Sequence, residues 1–341
     1  MRSTIGFLLI LIATAGVAQE DLTELYTSLK PSVVTIVARG SDRGRGAIGS
    51  GVVIDLDGHI MTAAHVVHTA NKIIVRFADG LIIPAEVIIS NTLADLALLQ
   101  LSHIPEGLVT AQLGDSDTAT VGKRVVIIGA PFGLNHSLSA GYISSRIDKE
   151  RLAGGEVLQL LQTDAAVNLG NSGGPMFDSD GKVIGIVSSI LSKSGGFDGI
   201  GFAVAINAAK RTLLGAPSFW TGFDAVFLGP EFSAMLNVPT GGGLLVQHVA
   251  EDSMAGRAGL RAGTTVTRLF NRDYILGGDV ILSIHGAVCN EPHDFTRIRE
   301  DLEQLQDGDP FVIQVLRAGK RIELTGLVDR EAWRSLQIRS N

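Results

Sequence analysis

The sequence has one cysteine, Cys289, so no internal disulfide can brace the fold. Basic residues are also in short supply. Lys and Arg number 28 against 35 Asp and Glu, giving a net charge of -7 with no local basic run, which argues against a nucleic-acid or anionic-membrane surface. No internal repeat or low-complexity tract is present. The N-terminal apolar run, Ile5 to Val17, falls short of the roughly 20 residues that cross a bilayer comfortably. Arg2 precedes it and small residues lead to Gln19, the layout of a secretory signal over residues 1–18 with cleavage after Ala18. An uncleaved N-terminal membrane anchor is the alternative reading.

What is present suits two domains, since 341 residues exceed a comfortable single core. After a short helix from Asp21 to Leu29, stopped by Pro31, the chain runs through short β-branched segments. They are Ser32–Val37, Gly51–Ile54, Lys72–Phe77, Ile82–Ile89, Leu96–Leu101, Arg124–Gly129, Val157–Gln162, Val183–Ser188 and Gly201–Ala205. That spacing predicts an all-β barrel or sandwich. Asp55-Leu56-Asp57-Gly58 and Asp178-Ser179-Asp180-Gly181 read as hairpin turns, because neither continues to the glutamate that a calcium loop needs. A helix from Ile206 to Leu214 closes this unit. A second, smaller unit follows, with strands at Leu244–Val249, Val280–Ile284, Phe311–Leu316 and Arg321–Leu324, a helix over Asp294–Gln306, and turns at His285-Gly286 and Ala318-Gly319.

The chemistry concentrates in Asn168-Leu169-Gly170-Asn171-Ser172-Gly173-Gly174-Pro175. Glycines and a proline there disfavour helix and strand, so the stretch is a rigid turn presenting one hydroxyl. The amides of Gly170 and Ser172 are candidates to hold an oxyanion beside Ser172. A serine nucleophile needs a base, and His65 in Thr62-Ala63-Ala64-His65-Val66-Val67 has the right intrinsic pKa. Asp95, inside Leu93-Ala94-Asp95-Leu96-Ala97-Leu98-Leu99, is expected to be partly buried and to need a strong donor such as an imidazole N–H. His68 has no Cys, Asp or Glu nearby to complete a metal site, and no metal or cofactor is expected. The order His, Asp, Ser is that of the chymotrypsin-type β-barrel proteases. The α/β-hydrolase reading of Gly170-Asn171-Ser172-Gly173-Gly174 is rejected, because Gly-Gly-Pro directly after the serine strongly disfavours the helix that elbow must open, and acid and base should follow the serine.

Six segments in order resemble the HtrA/Deg family of exported serine proteases: Gly49–Ile54, Thr62–Val67, Ala94–Leu99, Gly129–Leu134, Gln162–Ala166 with the serine turn, and Gly199–Ala203. The resemblance implies a mainly β protein with a double six-stranded, chymotrypsin-like barrel over residues 19–215. A linker (216–224), one PDZ domain (225–330) and a C-terminal tail (331–341) would follow. It implies a Ser172–His65–Asp95 triad, an oxyanion hole at Gly170 and Ser172, a homotrimer and a periplasmic location, or an inner-membrane anchorage facing the periplasm. The expected function is ATP-independent endoproteolysis of misfolded or regulatory proteins; the alternative is a latent protease serving as a peptide-binding chaperone or scaffold. Six residues before Ser172 stands Ala166, then Val167, so the specificity pocket lacks a carboxylate and favours small or medium aliphatic side chains. Backbone from Ser188 to Leu191 is expected to pair with substrate. Phe227-Leu228-Gly229-Pro230 resembles the PDZ loop that binds a peptide C-terminus, with Pro230 removing one amide. Leu169 replaces a usual proline, the loop from Gly40 to Gly46 is short, Thr264 to Gly278 is a longer-than-expected candidate contact loop, and His136 reads as a surface histidine.

Overall fold

The computed structural model describes residues 22–40, 46–130, 136–151, 157–190, 197–215, 220–239, 242–269, 272–291 and 294–330. The signal-like segment 1–18, the basic loop 41–45 and the tail 331–341 lie outside them. Helix α1 (Leu22–Leu29) runs through a 3₁₀ turn containing Pro31 into β1 (Val33–Arg39). The first barrel continues with β2 (Gly46–Val53), β3 (His59–Thr62), the one-turn helix α2 (Ala64–Val67), β4 (Lys72–Arg76), β5 (Ile82–Asn91) and β6 (Leu96–Leu101). Its strands close in the order β1-β2-β3-β6-β5-β4. Next come β7 (Arg124–Gly129), β8 (Ser137–Arg151), β9 (Val157–Thr163), β10 (Pro175–Phe177), β11 (Val183–Ile190) and β12 (Gly201–Ala205), closing in the order β10-β11-β12-β9-β8-β7. Helix α3 (Ile206–Lys210) and a π-turn over Arg211–Gly215 replace the single helix expected there.

Several strands read as continuous apolar runs because both of their faces are covered. Along β6, Ala97, Leu99 and Leu101 fill the first barrel, while Leu96 and Leu98 enter a core shared between the barrels. Along β7 the same division sends Val125 and Ile127 inward and Val126 and Ile128 to the shared core. Leu22, Leu25, Tyr26 and Leu29 of α1 seal that core from outside. The two barrels are thereby fixed face to face. Strand β8 was not anticipated because Ser, Gly and Arg interrupt its apolar positions. Strand β10 escaped because it is three residues long and follows the Gly-Gly-Pro turn.

Both acidic turns are hairpins. Asp55 Oδ1 accepts from the amides of Asp57 and His59 between β2 and β3, and Asp178 Oδ1 accepts from Asp180 and Lys182 between β10 and β11. Among the described residues, Asp55, Asp57 and His59 form a group of potential metal donors, but the Asp55 carboxylate is engaged by those two amides and by His59 Nδ1 at 2.7 Å.

The second unit begins at Phe223, inside the 216–224 stretch read as linker. Strand β13 (Phe223–Leu228) leads to α4 (Pro230–Met235), β14 (Gly243–Val249), α5 (Met254–Arg257) and the separate hairpin β15 (Thr265–Leu269) and β16 (Arg272–Leu276). Then follow β17 (Val280–Ile284), β18 (Ala287–Val288), α6 (Asp294–Gln304), β19 (Pro310–Arg317) and β20 (Lys320–Leu327). The sheet order is β13-β14-β17-β19-β20, with β18 on β17. Paired positive φ values at His285-Gly286 (48°, 82°) and Ala318-Gly319 (48°, 77°) are those of tight hairpin turns. The longer Thr264–Gly278 stretch is the β15–β16 hairpin, anchored by Tyr274 edge-on to Phe232 at 5.0 Å.

Phe177 is fully buried in the shared core. Phe177→Ala is expected to lower stability by about 3–5 kcal/mol, read as a reduced denaturant midpoint with an unchanged slope.

Candidate active site

Asp95 follows β5 and immediately precedes β6. Its φ of 54° is a left-handed conformation that non-glycine residues rarely adopt. The unusual backbone is accompanied by dense bonding of the carboxylate. Oδ1 accepts from the His65 backbone amide at 3.0 Å and from Nδ1 at 2.9 Å, and Oδ2 is also 2.9 Å from Nδ1. Ser188 Oγ, on β11 of the other barrel, donates to Oδ2 at 2.5 Å. With Nδ1–H donated to Asp95, the imidazole leaves Nε2 as its acceptor. The His65 side chain is half exposed, while that of Asp95 is largely covered.

Ser172 stands on the turn between β9 and β10. Its Oγ donates to the Ser188 carbonyl at 3.5 Å, so Ser188 touches both Asp95 and Ser172. Among the described residues no hydrogen bond joins the Ser172 hydroxyl to His65. Two glycines show how closely the turn fits against α2. A side chain at Gly49 would meet Val66 at 2.8 Å and the Ser172 carbonyl at 2.9 Å, and one at Gly173 would meet the amide of Ala63 at 2.7 Å. Gly170 (φ 100°) and Gly173 (φ 82°) supply the left-handed conformations the turn requires. Asn171 N–H bonds the Asn168 carbonyl at 2.9 Å and Gly174 N–H bonds the Asn171 carbonyl at 2.9 Å. Among the described residues, the amides of Gly170 and Ser172 have no backbone partner, which leaves two donors open beside the hydroxyl.

Residues 49–186 match the trypsin-like peptidase domain family. A probable periplasmic serine endoprotease DegP-like of Halomonas elongata is 35% identical over 294 residues, covering 84% of this chain and 57% of that protein. The periplasmic serine endoprotease DegP of Escherichia coli is 32% identical over 285 residues, covering 82% and 56%. The solved HtrA-type protease AlgW with tripeptide aligns at 31% identity over 91% of this chain and 97% of its own, with a TM-score of 0.52. The chain belongs to the HtrA/Deg family. It spans a little over half the length of the curated DegP-like relatives it matches.

Within this HtrA/Deg chain, several expected residues stand elsewhere than the sequence suggested. Phe227 and Leu228 lie inside β13, in register with Leu244 and Gly243, and Gly229 caps α4. They are strand and cap residues, not an open loop. The glycine turn nearest the start of β13 is Thr221-Gly222, with Gly222 at φ 70°. Val167 is buried in the core of the second barrel, whereas Ala166 is half-buried and its carbonyl accepts from Ser139 Oγ at 2.8 Å. Leu169 is among the most exposed apolar residues. Leu191 lies outside the described residues.

His68 is a junction residue. Its Nδ1 accepts from Ser90 Oγ at 2.8 Å and its Nε2–H donates to the Phe223 carbonyl at 3.0 Å. Trp220 Nε1 donates to the His68 carbonyl at 2.6 Å. The helix that carries His65 is thus tied to the start of the second unit. Ser188 was missed as an Asp95 partner; its signal was a Ser-Ser pair ending an otherwise apolar strand.

His136 is buried, not superficial. Tyr26 Oη donates to its carbonyl at 2.6 Å, while its Nε2 has no partner among the described residues. Burial, helped by the positive charge of Lys30, holds its pKa down at about 4. The unfolded chain, with an ordinary histidine pKa, therefore binds the proton first as pH falls. The native state loses roughly 2–3 kcal/mol of stability from this group between pH ~6.5 and ~4. Urea melts across that range should show a flatter pH dependence for His136→Asn than for the wild-type chain.

Proposed function

We propose that this chain is an exported serine endopeptidase of the cell envelope, needing neither ATP nor a cofactor, that cleaves misfolded or regulatory proteins. The observation that carries the reading is the Asp95–His65 pair, bonded at 2.9 Å, beside a glycine turn whose two free amides flank Ser172. His65 is the base, Asp95 orients it and stabilises the imidazolium, and Ser172 is the nucleophile. In the first half-reaction Ser172 Oγ attacks the scissile carbonyl as its proton passes to His65 Nε2. The amides of Gly170 and Ser172 hold the oxyanion, and the imidazolium then protonates the leaving amine. Water repeats the sequence on the acyl-enzyme. The 3.5 Å contact of Ser172 Oγ with the Ser188 carbonyl is a long, weak hydrogen bond, which leaves the hydroxyl free to change partner when substrate docks.

Ala166 offers no charge to a basic substrate side chain, which supports a preference for small or medium aliphatic residues. The second unit is read as a PDZ domain. Strand β13 is bonded to β14 on one side only, so its other edge suits strand addition by a peptide C-terminus. AlgW has been solved with a tripeptide, which supports peptide binding in a relative of similar length. The names of the DegP-like relatives support a periplasmic location, and the homotrimer is proposed on the family resemblance alone.

The unmade Ser172–His65 bond favours a second reading, a latent protease acting as a peptide-binding scaffold. Mass analysis after treatment with a serine-directed peptidyl phosphonate separates the two. One adduct on Ser172, absent from Ser172→Ala, together with a fall of about 10⁶ in kcat for that variant, is the expected result. No adduct, even with C-terminal peptides present, contradicts the enzyme reading and favours the scaffold.

A further inference from the structure

Ser50, between Gly49 and Gly51 on β2, is fully buried yet carries a hydroxyl. Burying such a group is unfavourable unless it is bonded, and this one is bonded twice. Its Oγ donates to the Gly170 carbonyl at 2.6 Å and accepts from the Ala130 amide at 2.9 Å. The main chain of the same residue reaches the same turn, since Ser50 N–H donates to the Ser172 carbonyl at 2.8 Å. Thr62 Oγ1 donates to the Ser50 carbonyl at 2.7 Å, closing the set. One residue of the first barrel therefore grips the nucleophile turn of the second barrel on both sides of Asn171.

Three glycines make room for this grip. A Cβ at Gly129 would stand 3.0 Å from Ser50 Oγ, one at Gly173 would stand 2.4 Å from the Ser50 carbonyl, and one at Gly174 would stand 3.1 Å from Ser50 Cβ. In a planar trans peptide the N–H and C=O point in opposite directions, so holding a carbonyl also aims the next amide. Gly174 N–H fixes the Asn171 carbonyl and so aims the Ser172 amide. Ser50 Oγ fixes the Gly170 carbonyl, and with it the Gly170–Asn171 peptide plane, which lies in the chain between the two donor amides and is linked to the Gly170 amide by the two torsions of Gly170, its φ being 100°.

We infer that Ser50 is a positioning residue for this reaction, its hydroxyl holding the Gly170 peptide so that the Gly170 and Ser172 amides converge on one oxyanion. The assignment rests on Ser172 being the nucleophile. It is tested on the full chain by comparing Ser50→Ala, Ser50→Cys and Ser172→Ala. The readouts are kcat and KM per phosphonate-titrated site on a valine anilide peptide, and inhibition by the matching peptide aldehyde and peptide amide.

For Ser50→Ala, kcat should fall roughly 10–100-fold, somewhat less than for loss of an oxyanion donor itself, with KM within about twofold. Aldehyde affinity should fall in parallel, because its adduct carries the oxyanion, while amide affinity stays unchanged. Ser50→Cys, a poorer donor of similar size, should be intermediate, and it carries the test if Ser50→Ala does not fold. A purely structural role would lower melting temperature and the titrated fraction without changing kcat per site. Wild-type kcat per site and wild-type aldehyde affinity in a folded Ser50 variant overturn the assignment alone. Wild-type turnover by Ser172→Ala overturns the nucleophile reading, and this assignment with it.

Discussion

The site depends on one carboxylate. Asp95 is mostly shielded from water, and an ion so placed is tolerated only when donors replace its hydration. It receives the His65 amide, the His65 ring and the Ser188 hydroxyl, at the cost of a left-handed backbone at its own position. Each donor also does something for the chemistry. The amide fixes where α2 begins, the ring bond selects the tautomer that leaves Nε2 free, and the Ser188 bond draws the second barrel to the first.

That last bond works only because the barrels are already pressed together. Alternate residues of β6 and β7 turn out of their own barrels into a shared apolar core, and α1 covers it. Above this core, Gly49, Gly129, Gly173 and Gly174 remove the side chains that would hold the barrels apart at the site. Their absence lets the turn around Ser172 come within contact of α2. Burial supplies the force here and the glycines supply the clearance. The second unit joins the same region through His68, whose ring and carbonyl bind Phe223 and Trp220.

Much of this was legible in the sequence. The apolar β-branched runs located most barrel strands, and the acidic and glycine turns located the hairpins at Asp55, Asp178, His285 and Ala318. The serine turn was readable because Gly, Asn and Pro have few alternatives in such density. What was hidden depended on distant partners. The Ser188 hydroxyl matters because Asp95 lies across the barrel junction, and Ser50 because Gly170 does. His136 looks polar and exposed in a local window, yet α1, more than a hundred residues earlier, covers it. Phe227 to Gly229 were misread because a glycine after two apolar residues suits either a loop or a strand running into a helix cap. Only the pairing of β13 with β14 decides between them.

The central claim is that Asp95 sets the tautomer and orientation of His65 so that Nε2 serves Ser172. Replacing the carboxylate by an amide keeps the shape and removes the acceptor that selects the Nδ1–H form. The most direct measurement is therefore the pre-steady-state rate of Ser172 acylation by a peptide ester in Asp95→Asn against the wild-type chain at neutral pH. The account predicts a fall of about 10⁴ with the fold retained. A rate within tenfold of wild type would contradict it.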